Sequence, residues 1–358
     1  MKWMIVIILL LLLTISCSQD GTDTLQDLRS QPGQLNAQVV EADKTFLVES
    51  SGYYPNYNIL LGTSGDAKYP KLYHLDNHGN VLREWVLKDK FGAILGDRRI
   101  LPNGHLLFII GLEAVYEIDY DGNLVWTYID PTVTHHAEQL PNGHILTAGS
   151  ECDCVKEIDY TTKQVLWSWD AKTLFPEYKT EEDYVGSEVY PGAKSAYANY
   201  TIASEIFPND WSHINYVQWL PASDTFMVSL RSFDLIMEIN RAGDALWTFG
   251  PGVLKHQHYP KVLPDNSILV YDNGNGRVLR VTRTHKVIWQ YTGLYAPFLG
   301  DNDLLPDGNY KILQTTPYEG NDNKSDVRVV SPNGDTIWSL FISDEYVYRA
   351  FFQPIEAN

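Results

Sequence analysis

The sequence predicts an all-β protein, specifically a six-bladed β-propeller with four strands in each blade. Three observations predict this fold: a Leu-Pro phrase that recurs along the chain, a second phrase that follows it and ends in tryptophan, and a composition rich in aromatic residues. The 358 residues include 10 Trp and 23 Tyr, and little of the chain has the spacing typical of long amphipathic helices. Aromatic residues are enriched in strands, so this composition favours β structure.

The first phrase is a Leu-Pro turn between two apolar segments. ILPNGHLL at 100–107 returns as QLPNGHIL at 139–146, and shorter forms occur at 220–223, 263–266 and 305–308. Successive Leu-Pro pairs are 39, 80, 43 and 42 residues apart. Proline presets the φ angle of such a turn and Asn-Gly or Asp-Gly tolerates positive φ, so each phrase predicts a β-turn between two strands.

The second phrase is a short apolar strand followed by a turn and a tryptophan. It occurs six times, and the tryptophans that close the six units are Trp85, Trp126, Trp167, Trp247, Trp289 and Trp338. Four-stranded units that repeat about every 40 residues are typical of a β-propeller. We expect each tryptophan to pack as a wedge between neighbouring blades.

One separation between Leu-Pro pairs is twice the usual period. Residues 171–212, which lie in this interval, contain neither phrase and are rich in Tyr, Glu and Ala. We therefore interpret 171–212 as a long insertion between blades three and four, placed over one mouth of the propeller. Long irregular segments in a compact domain are usually functional.

The N-terminal residues predict export and a lipid anchor. Residues 1–16 have a lysine, an apolar run and a small residue before Cys17, which is the pattern of a lipoprotein signal peptide with Cys17 lipidated. Ordinary secretory cleavage near Cys17 is the alternative. We expect residues 17–44 to form a flexible tether and residues 45–358 to form the propeller, held by its lipid at a membrane of the cell envelope.

The net charge and the cysteines limit the partners and ligands that the protein can have. A net charge of −18 argues against a nucleic-acid partner, which would need a basic face. With Cys17 acylated, only Cys152 and Cys154 remain as thiols, and we expect them to be free or adventitiously oxidised. No further ligands accompany them, so no metal site is predicted, and nothing in the sequence indicates a cofactor or an oligomeric state.

Polar residues at the start of three consecutive blades form the candidate site. His135, Asn215 and His258 each lie five residues before the Leu-Pro pair of their blade, so they share one topological position. Inner strands surround the central channel of a propeller, and we expect these side chains to converge there. His136, beside His135, is an equal candidate in blade three, and Arg231 follows on the next strand of blade four.

Five ordered motifs resemble the bacterial arylsulfotransferase family. They are DWSHIN at 210–215, SLR at 229–231, INRAGDALWTFG at 239–250, QH at 257–258 and LVYDNG at 269–274. The resemblance extends over residues 96–293. It implies a six-bladed, extracytoplasmic propeller that transfers sulfuryl groups between phenols without a nucleotide cofactor.

The resemblance also implies roles for individual residues. His258 would be the nucleophile that becomes sulfated, with His213, Arg231 and either His135 or His136 as its partners. We expect Asn215 and Tyr216 to contact the substrates, an aryl sulfate donor and a phenolic acceptor. Aromatic residues of the insertion are candidates to stack on the aryl groups: Phe175, Tyr178, Tyr184, Tyr190, Tyr197 and Tyr200.

Two other functions stay open at this point. The first is a non-catalytic propeller lipoprotein that acts as a scaffold of the outer membrane, which predicts no converging histidines and arginine. The second is a propeller polysaccharide lyase, which would pair a histidine with a catalytic tyrosine such as Tyr216.

Overall fold

The computed structural model of the protein describes most of the chain. The described residues are 31–41, 44–64, 69–91, 93, 95–174, 212–296, 299–316, 324–343 and 346–355. The predicted signal peptide, Cys17 and most of the predicted insertion lie outside them. Within these ranges no helix is both long enough and apolar enough to cross a membrane.

The described residues form strands almost throughout. In chain order the strands are β1 (Ala37–Val40), β2 (Leu47–Ser50), β3 (Tyr57–Ser64), β4 (Lys71–Leu75), β5 (Val81–Leu87), β6 (Leu95–Ile100), β7 (Leu106–Ile110), β8 (Ala114–Ile118), β9 (Leu124–Ile129), β10 (His136–Gln139), β11 (Ile145–Gly149), β12 (Cys154–Ile158), β13 (Val165–Asp170), β14 (Ile214–Leu220), β15 (Thr225–Leu230), β16 (Leu235–Ile239), β17 (Ala245–Phe249), β18 (His258–Val262), β19 (Ile268–Asp272), β20 (Arg277–Val281), β21 (Val287–Thr292), β22 (Gly300–Leu304), β23 (Tyr310–Thr316), β24 (Lys324–Val330), β25 (Thr336–Ser343) and β26 (Tyr346–Pro354). Short 3-10 turns occur at Ala171–Leu174, Arg231–Phe233 and Asn273–Asn275.

The strands form six antiparallel sheets, which are the six predicted blades. Blades two to five are β6–β9, β10–β13, β14–β17 and β18–β21, each with its strands paired in chain order. Blade one has the order β1-β5-β4-β3-β26, and blade six has the order β2-β25-β24-β23-β22. The predicted fold class is confirmed. The gap between β13 and β14 fits an insertion between blades three and four.

Both ends of the chain contribute to the closure of the ring. The C-terminal strand β26 is the innermost strand of blade one, where it pairs with β3. At the outer edges β1 pairs with β5, and β2 pairs with β25. Residues 37–40, which the sequence analysis assigned to the tether, therefore form β1, because pairing satisfies the otherwise open edge of β5. The propeller thus begins before residue 45.

The apolar core is divided among the contacts between blades. Each buried apolar cluster of the described residues joins two consecutive blades. Between blades three and four, for example, Leu146, Val155 and Trp169 pack with Phe226 and Val228. Burial of this kind is the main favourable term in folding, and here it leaves the centre of the ring to polar side chains.

The tryptophans of the second phrase join each blade to the next, as predicted. The indole Nε1 of Trp126 donates to the Tyr160 carbonyl oxygen at 2.7 Å. The same bond to a turn of the following blade recurs for Trp167 with Arg241, Trp247 with Arg283, Trp289 with Pro332 and Trp338 with Asn77. The wedge therefore combines apolar burial with a directional hydrogen bond.

Candidate active site

The ends of the inner strands define one face of the propeller as its functional mouth. β10, β14, β18 and β26 are the inner strands of blades three, four, five and one. Because neighbouring strands in a blade run in opposite directions, the turns between second and third strands lie at the same face as the starts of the inner strands. This face, called the mouth below, collects the segments that lead into each blade.

His258 is the first residue of β18 and has a defined tautomer. Its Nδ1 atom lies 2.8 Å from the Asn273 Oδ1 atom and 3.2 Å from the His256 carbonyl oxygen, both of which are acceptors. The Asn273 amide nitrogen donates to the Ala296 and Leu299 carbonyl oxygens at 2.6 and 3.1 Å, which orients its Oδ1 towards His258. Nδ1 of His258 therefore carries the proton, and Nε2 carries the lone pair.

The environment keeps the His258 imidazole neutral. Burial lowers the pKa of His258 well below its usual range, and the positive charge of Arg231 lowers it further. His258 is only 2% exposed. Burial disfavours the charged form of an imidazole, and a nearby cation does the same. A neutral imidazole with a lone pair on Nε2 is a nucleophile near pH 7.

Two further histidines and a tyrosine lie beside it. The ring centroids of His135 and His213 are 4.7 Å apart, and His135 Nδ1 lies 3.1 Å from the Tyr348 hydroxyl. The Tyr348 ring is 6.4 Å from the His258 ring, so it bridges the two sides of the mouth. Burial lowers the pKa of His135 and of His213 well below the usual range.

Arg231 brings positive charge to the mouth. It begins the 3-10 turn after β15, and its backbone N–H donates to the His213 carbonyl oxygen at 3.2 Å. Its charge lowers the pKa of His135, His213, His256 and His258, with burial the larger cause at each, and His256 falls to about 4. Because the interaction between charges weakens with distance, a guanidinium that lowers the pKa of four imidazoles lies near all of them.

His136 does not share the environment of His135. It is fully buried, and its Nδ1 lies 3.1 Å from Asp97 Oδ2 and 3.2 Å from Arg349 Nη1. The structure therefore brings His135 beside His213, whereas His136 belongs to an ion-pair network with Asp97 and Arg349. His136 is the first residue of β10, whereas His135 belongs to the segment before the strand.

Asn215 and Tyr216 lie at the start of the inner strand of blade four, where both side chains are buried. The Asn215 amide nitrogen donates to the Gln257 carbonyl oxygen at 2.8 Å, so its side chain joins blades four and five. The Tyr216 ring contacts His136 and Tyr259, and burial raises its pKa well above the usual range. Substrate contact by either residue stays a prediction.

Buried ion pairs fill the channel below the mouth. Asp97 Oδ2 lies 2.9 Å from Arg349 Nη1 and 2.9 Å from Arg99 Nη2, and Arg99 also pairs with Glu138 at 3.3 Å. Although burial acts in the opposite direction, the charges of Arg349 and Arg99 hold the pKa of Asp97 well below its usual range. A second network links Lys261 with Asp303, and Lys311 with Asp301 and Asp303. Charges buried in this way are paired, as their desolvation requires.

The two cysteines are oxidised in the structure. Cys152 and Cys154 form a disulfide across the turn between β11 and β12 of blade three. Of the two expected states, free or oxidised, the structure has the oxidised one, because Cys152 precedes β12 and the turn at Asp153 brings the two sulfurs together. The bridge encloses Asp153, a residue at the mouth.

Three residues of the site were missed by sequence reasoning. Asn273 was noted only as part of a motif, and Tyr348 and Arg349 were not noted. Tyr348 and Arg349 lie in β26, which belongs to none of the repeated phrases. The unit that ends at Trp85 lacks the Leu-Pro phrase, and this absence was a sequence signal that another segment supplies the inner strand of blade one.

The fold and the mouth define a six-bladed β-propeller with a site of one buried histidine, His258, and the half-buried His135, His213 and Arg231. The family model for arylsulfotransferase (ASST) matches residues 42–254, which is more than half of the chain. The chain therefore belongs to the arylsulfotransferase (ASST) family, and this membership supports a sulfotransferase activity on aryl sulfates. His213 and Arg231 lie inside the matched residues, and His258 lies just beyond them.

Solved structures agree with the propeller fold. A protein of unknown function from Bacteroides caccae is 14% identical, with a TM-score of 0.60 over 84% of this chain and 99% of that chain. Virginiamycin B lyase from Staphylococcus aureus is 12% identical, with a TM-score of 0.45 over 91% of this chain and 90% of that chain. At these identities the first likeness shows the fold alone, and the second carries no argument. No curated protein matches the chain.

Proposed function

We propose that the protein moves a sulfuryl group from an aryl sulfate to a phenolic acceptor through a sulfohistidine at His258. No nucleotide sulfate donor takes part in this scheme. The observation that carries the proposal is the hydrogen bond from His258 Nδ1 to Asn273 Oδ1. It supports Nε2 as the attacking atom of a neutral imidazole, at a mouth that also holds Arg231 and two more histidines.

In the first half-reaction the lone pair of His258 Nε2 attacks the sulfur atom of the donor. The N–S bond forms while the bond between sulfur and the aryl oxygen breaks. The aryl oxygen departs with the electron pair as a phenolate, which then takes up a proton. A donor with a stable phenolate, such as a nitrophenyl sulfate, suits this step best.

In the second half-reaction the oxygen of the acceptor phenol attacks the same sulfur atom. The new O–S bond forms, the N–S bond breaks, and the electron pair returns to His258 Nε2. The proton of the phenol passes to a neutral imidazole, and His213 and His135 are the candidates at the mouth. One proton is taken up and one is released over the cycle.

Arg231 supplies the charge that the transferring group requires. Negative charge spreads over the sulfuryl oxygens as the sulfur changes partners, as it does in phosphoryl transfer. A guanidinium offers two parallel N–H donors to such oxygens, and its charge stabilises them most where water is excluded. On a chain of net charge −18, this local cation would be a main attraction for an anionic donor.

The assay that tests the function follows nitrophenol release from p-nitrophenyl sulfate, with and without a phenolic acceptor. We expect acceptor-dependent turnover, loss of turnover in His258→Ala, and a mass increase of one sulfo group on the peptide that contains His258. His144→Ala is the matched control, because His144 pairs with Glu157 at a Leu-Pro turn on the opposite face. Full activity of His258→Ala would exclude the mechanism.

Attachment of the enzyme to the cell envelope is a separate part of the proposal. Cys17 follows an apolar run and a small residue, as in a lipoprotein signal. We expect the protein in the membrane fraction and labelled by a fatty acid. A Cys17→Ser variant that is still labelled and membrane-bound would contradict this part alone.

A further inference from the structure

Two aspartates occupy the same place in consecutive blades. Asp153 directly precedes β12 in blade three, and Asp234 directly precedes β16 in blade four. Both are buried, and both have a positive φ, of +50° and +53°. A left-handed backbone is uncommon outside glycine, and aspartate and asparagine tolerate it best among the other residues. Each turn therefore holds an acid at the mouth in a fixed conformation.

Each carboxylate reaches across to the segment that leads into the next blade. Asp153 Oδ1 accepts hydrogen bonds from the Ser212 backbone N–H and hydroxyl, both at 2.6 Å. Asp234 Oδ1 accepts a hydrogen bond from the His256 backbone N–H at 2.7 Å. Hydrogen bonds from amides to a carboxylate are shorter and stronger than those between neutral groups. Ser212 directly precedes His213, and His256 lies two residues before His258.

The two segments held in this way are themselves in uncommon conformations. His213 and His256 both have a φ of +52°. Such residues persist at functional sites only where the surrounding structure determines them from several sides. The carbonyl groups of the segments are held as well, because Arg231 N–H donates to the His213 carbonyl oxygen and Gly274 N–H donates to the Lys255 carbonyl oxygen.

Asp153 has further contacts besides those with Ser212. The Cys152–Cys154 disulfide encloses it, and Lys172 Nζ lies 3.1 Å from its Oδ2 atom. Its carbonyl oxygen accepts a hydrogen bond from the Ala171 N–H at 2.9 Å. The same residue therefore holds the chain where it leaves β13 and where it returns to β14.

We propose that Asp153 and Asp234 are positioning residues of the sulfuryl transfer, with Asp153 fixing His213 and Asp234 fixing His258. The assignment rests on the proposed function. Neither carboxylate is placed against the reacting atoms, and each acts through a backbone N–H of the following blade. An error of about 1 Å in a reacting group costs up to about 100-fold in rate, so the anchors of these histidines affect turnover.

The first test compares three alanine variants. Asp153→Ala and Asp234→Ala remove the anchors, and Asp224→Ala is the control, because Asp224 lies in blade four with a φ of +51° at the opposite face. All three substitutions place alanine in the same backbone region. Compared at equal margins below each Tm, we expect kcat to fall about tenfold or more in the two anchor variants with a smaller change in KM. Losses no larger than that of Asp224→Ala would overturn the assignment.

The second test uses the conservative variants. Asparagine tolerates positive φ, and its Oδ1 atom still accepts an N–H. We therefore expect Asp234→Asn and Asp153→Asn to recover most of the kcat that the alanine variants lose. No recovery by either asparagine variant, with folding unchanged, would argue that the carboxylates act in some other way than by holding an N–H.

A readout that needs no turnover separates this proposal from the proposed function. In protein labelled with nitrogen-15 histidine, NMR reports which ring nitrogen of His258 carries the proton. We expect the Nδ1-protonated form in the wild type and a loss of that single form in Asp234→Ala. Unchanged His258 signals in that variant would overturn the assignment of Asp234. Absence of sulfuryl transfer in the wild type would instead refute the proposed function.

Discussion

The Nδ1 atom of His258 and the Oδ1 atom of Asn273 are 2.8 Å apart, and the Asn273 amide cannot reverse without breaking two other hydrogen bonds. Both residues belong to blade five, one at the start of its inner strand and the other in the 3-10 turn after its second strand. The side-chain acceptor that selects the protonated nitrogen of the imidazole therefore lies in the same blade as His258. Nε2 keeps the lone pair and is the nitrogen that the proposed mechanism uses.

Loss of that amide should impair catalysis more than binding. We expect Asn273→Ala to lower kcat about 10- to 100-fold, by analogy with the loss when a residue that orients a metal-binding histidine is removed. The measurement is nitrophenol release at saturating donor. Asn240→Ala is the control, since Asn240 bonds only within a turn towards Asp244. Equal kcat in the two variants would show that the tautomer is determined elsewhere.

The acid limb of activity should depend on the charge of Arg231. Burial and Arg231 lower the pKa of His258, so the neutral form persists below the ordinary value of about 6.5. We expect the acid limb of kcat/KM below that value in the wild type. Arg231→Gln removes the charge and should move the limb to higher pH, whereas Arg231→Lys should leave it in place. The pH profile of single turnovers measures this, and an unmoved limb in Arg231→Gln would contradict it.

The same histidines should make stability sensitive to mild acid. Burial lowers the pKa of His135, His213 and His258 in the native state, while the unfolded chain binds protons near pH 6.5. The unfolded state thus binds more protons below that pH, and the free energy of unfolding falls as pH decreases, by up to about 1.4 kcal/mol per pH unit for each histidine.

Denaturant titrations at pH 7.5, 6.5 and 5.5 measure this dependence. We expect His213→Gln to show a shallower slope than the wild type. His78→Gln is the control, because His78 is exposed. A slope in His213→Gln identical to that of the wild type would mean that His213 binds its proton equally in both states.

Two buried tryptophans offer a matched test of the links between blades. Trp338 and Trp85 are both fully buried, and Trp338 Nε1 donates to the Asn77 carbonyl oxygen at 3.1 Å. Trp85 Nε1 has no hydrogen-bond partner among the residues that the structure describes. We expect Trp338→Phe to cost about 1 kcal/mol more than Trp85→Phe, because it removes the hydrogen bond to the half-buried Asn77 carbonyl oxygen. If denaturant unfolding shows the same loss in the free energy of unfolding for both variants, the hydrogen bond of Trp338 does not contribute this amount.

The parts of the fold that repeat were predictable from sequence. The turn residues and the period of the phrases define the blades, because every blade packs its apolar faces against two neighbours and uses similar residues to do so. The same register also indicated that His135 and His258 lie at equivalent places. It could not choose between His135 and His136, since that choice depends on which neighbour of a strand faces the channel.

The remaining features depend on contacts between distant parts of the chain. Tyr348 reaches the site because β26 pairs with β3, and β1 is a strand because β5 presents an edge to it. Asn215 lies at the start of the inner strand of blade four, as predicted, but its amide nitrogen donates a hydrogen bond to the Gln257 carbonyl oxygen. The bridge between Cys152 and Cys154 depends on the turn at Asp153, which the spacing of the cysteines did not reveal.

The pairing of β26 with β3 also has a consequence for the order of events in folding. Tyr348 and Arg349 lie in β26, the last strand of the described chain. Blade one therefore has no inner strand at the mouth until β26 has been synthesised and has paired with β3. Pairings between residues so distant in sequence form slowly. The part of the candidate site that Tyr348 and Arg349 contribute is therefore in place only when the ring is closed.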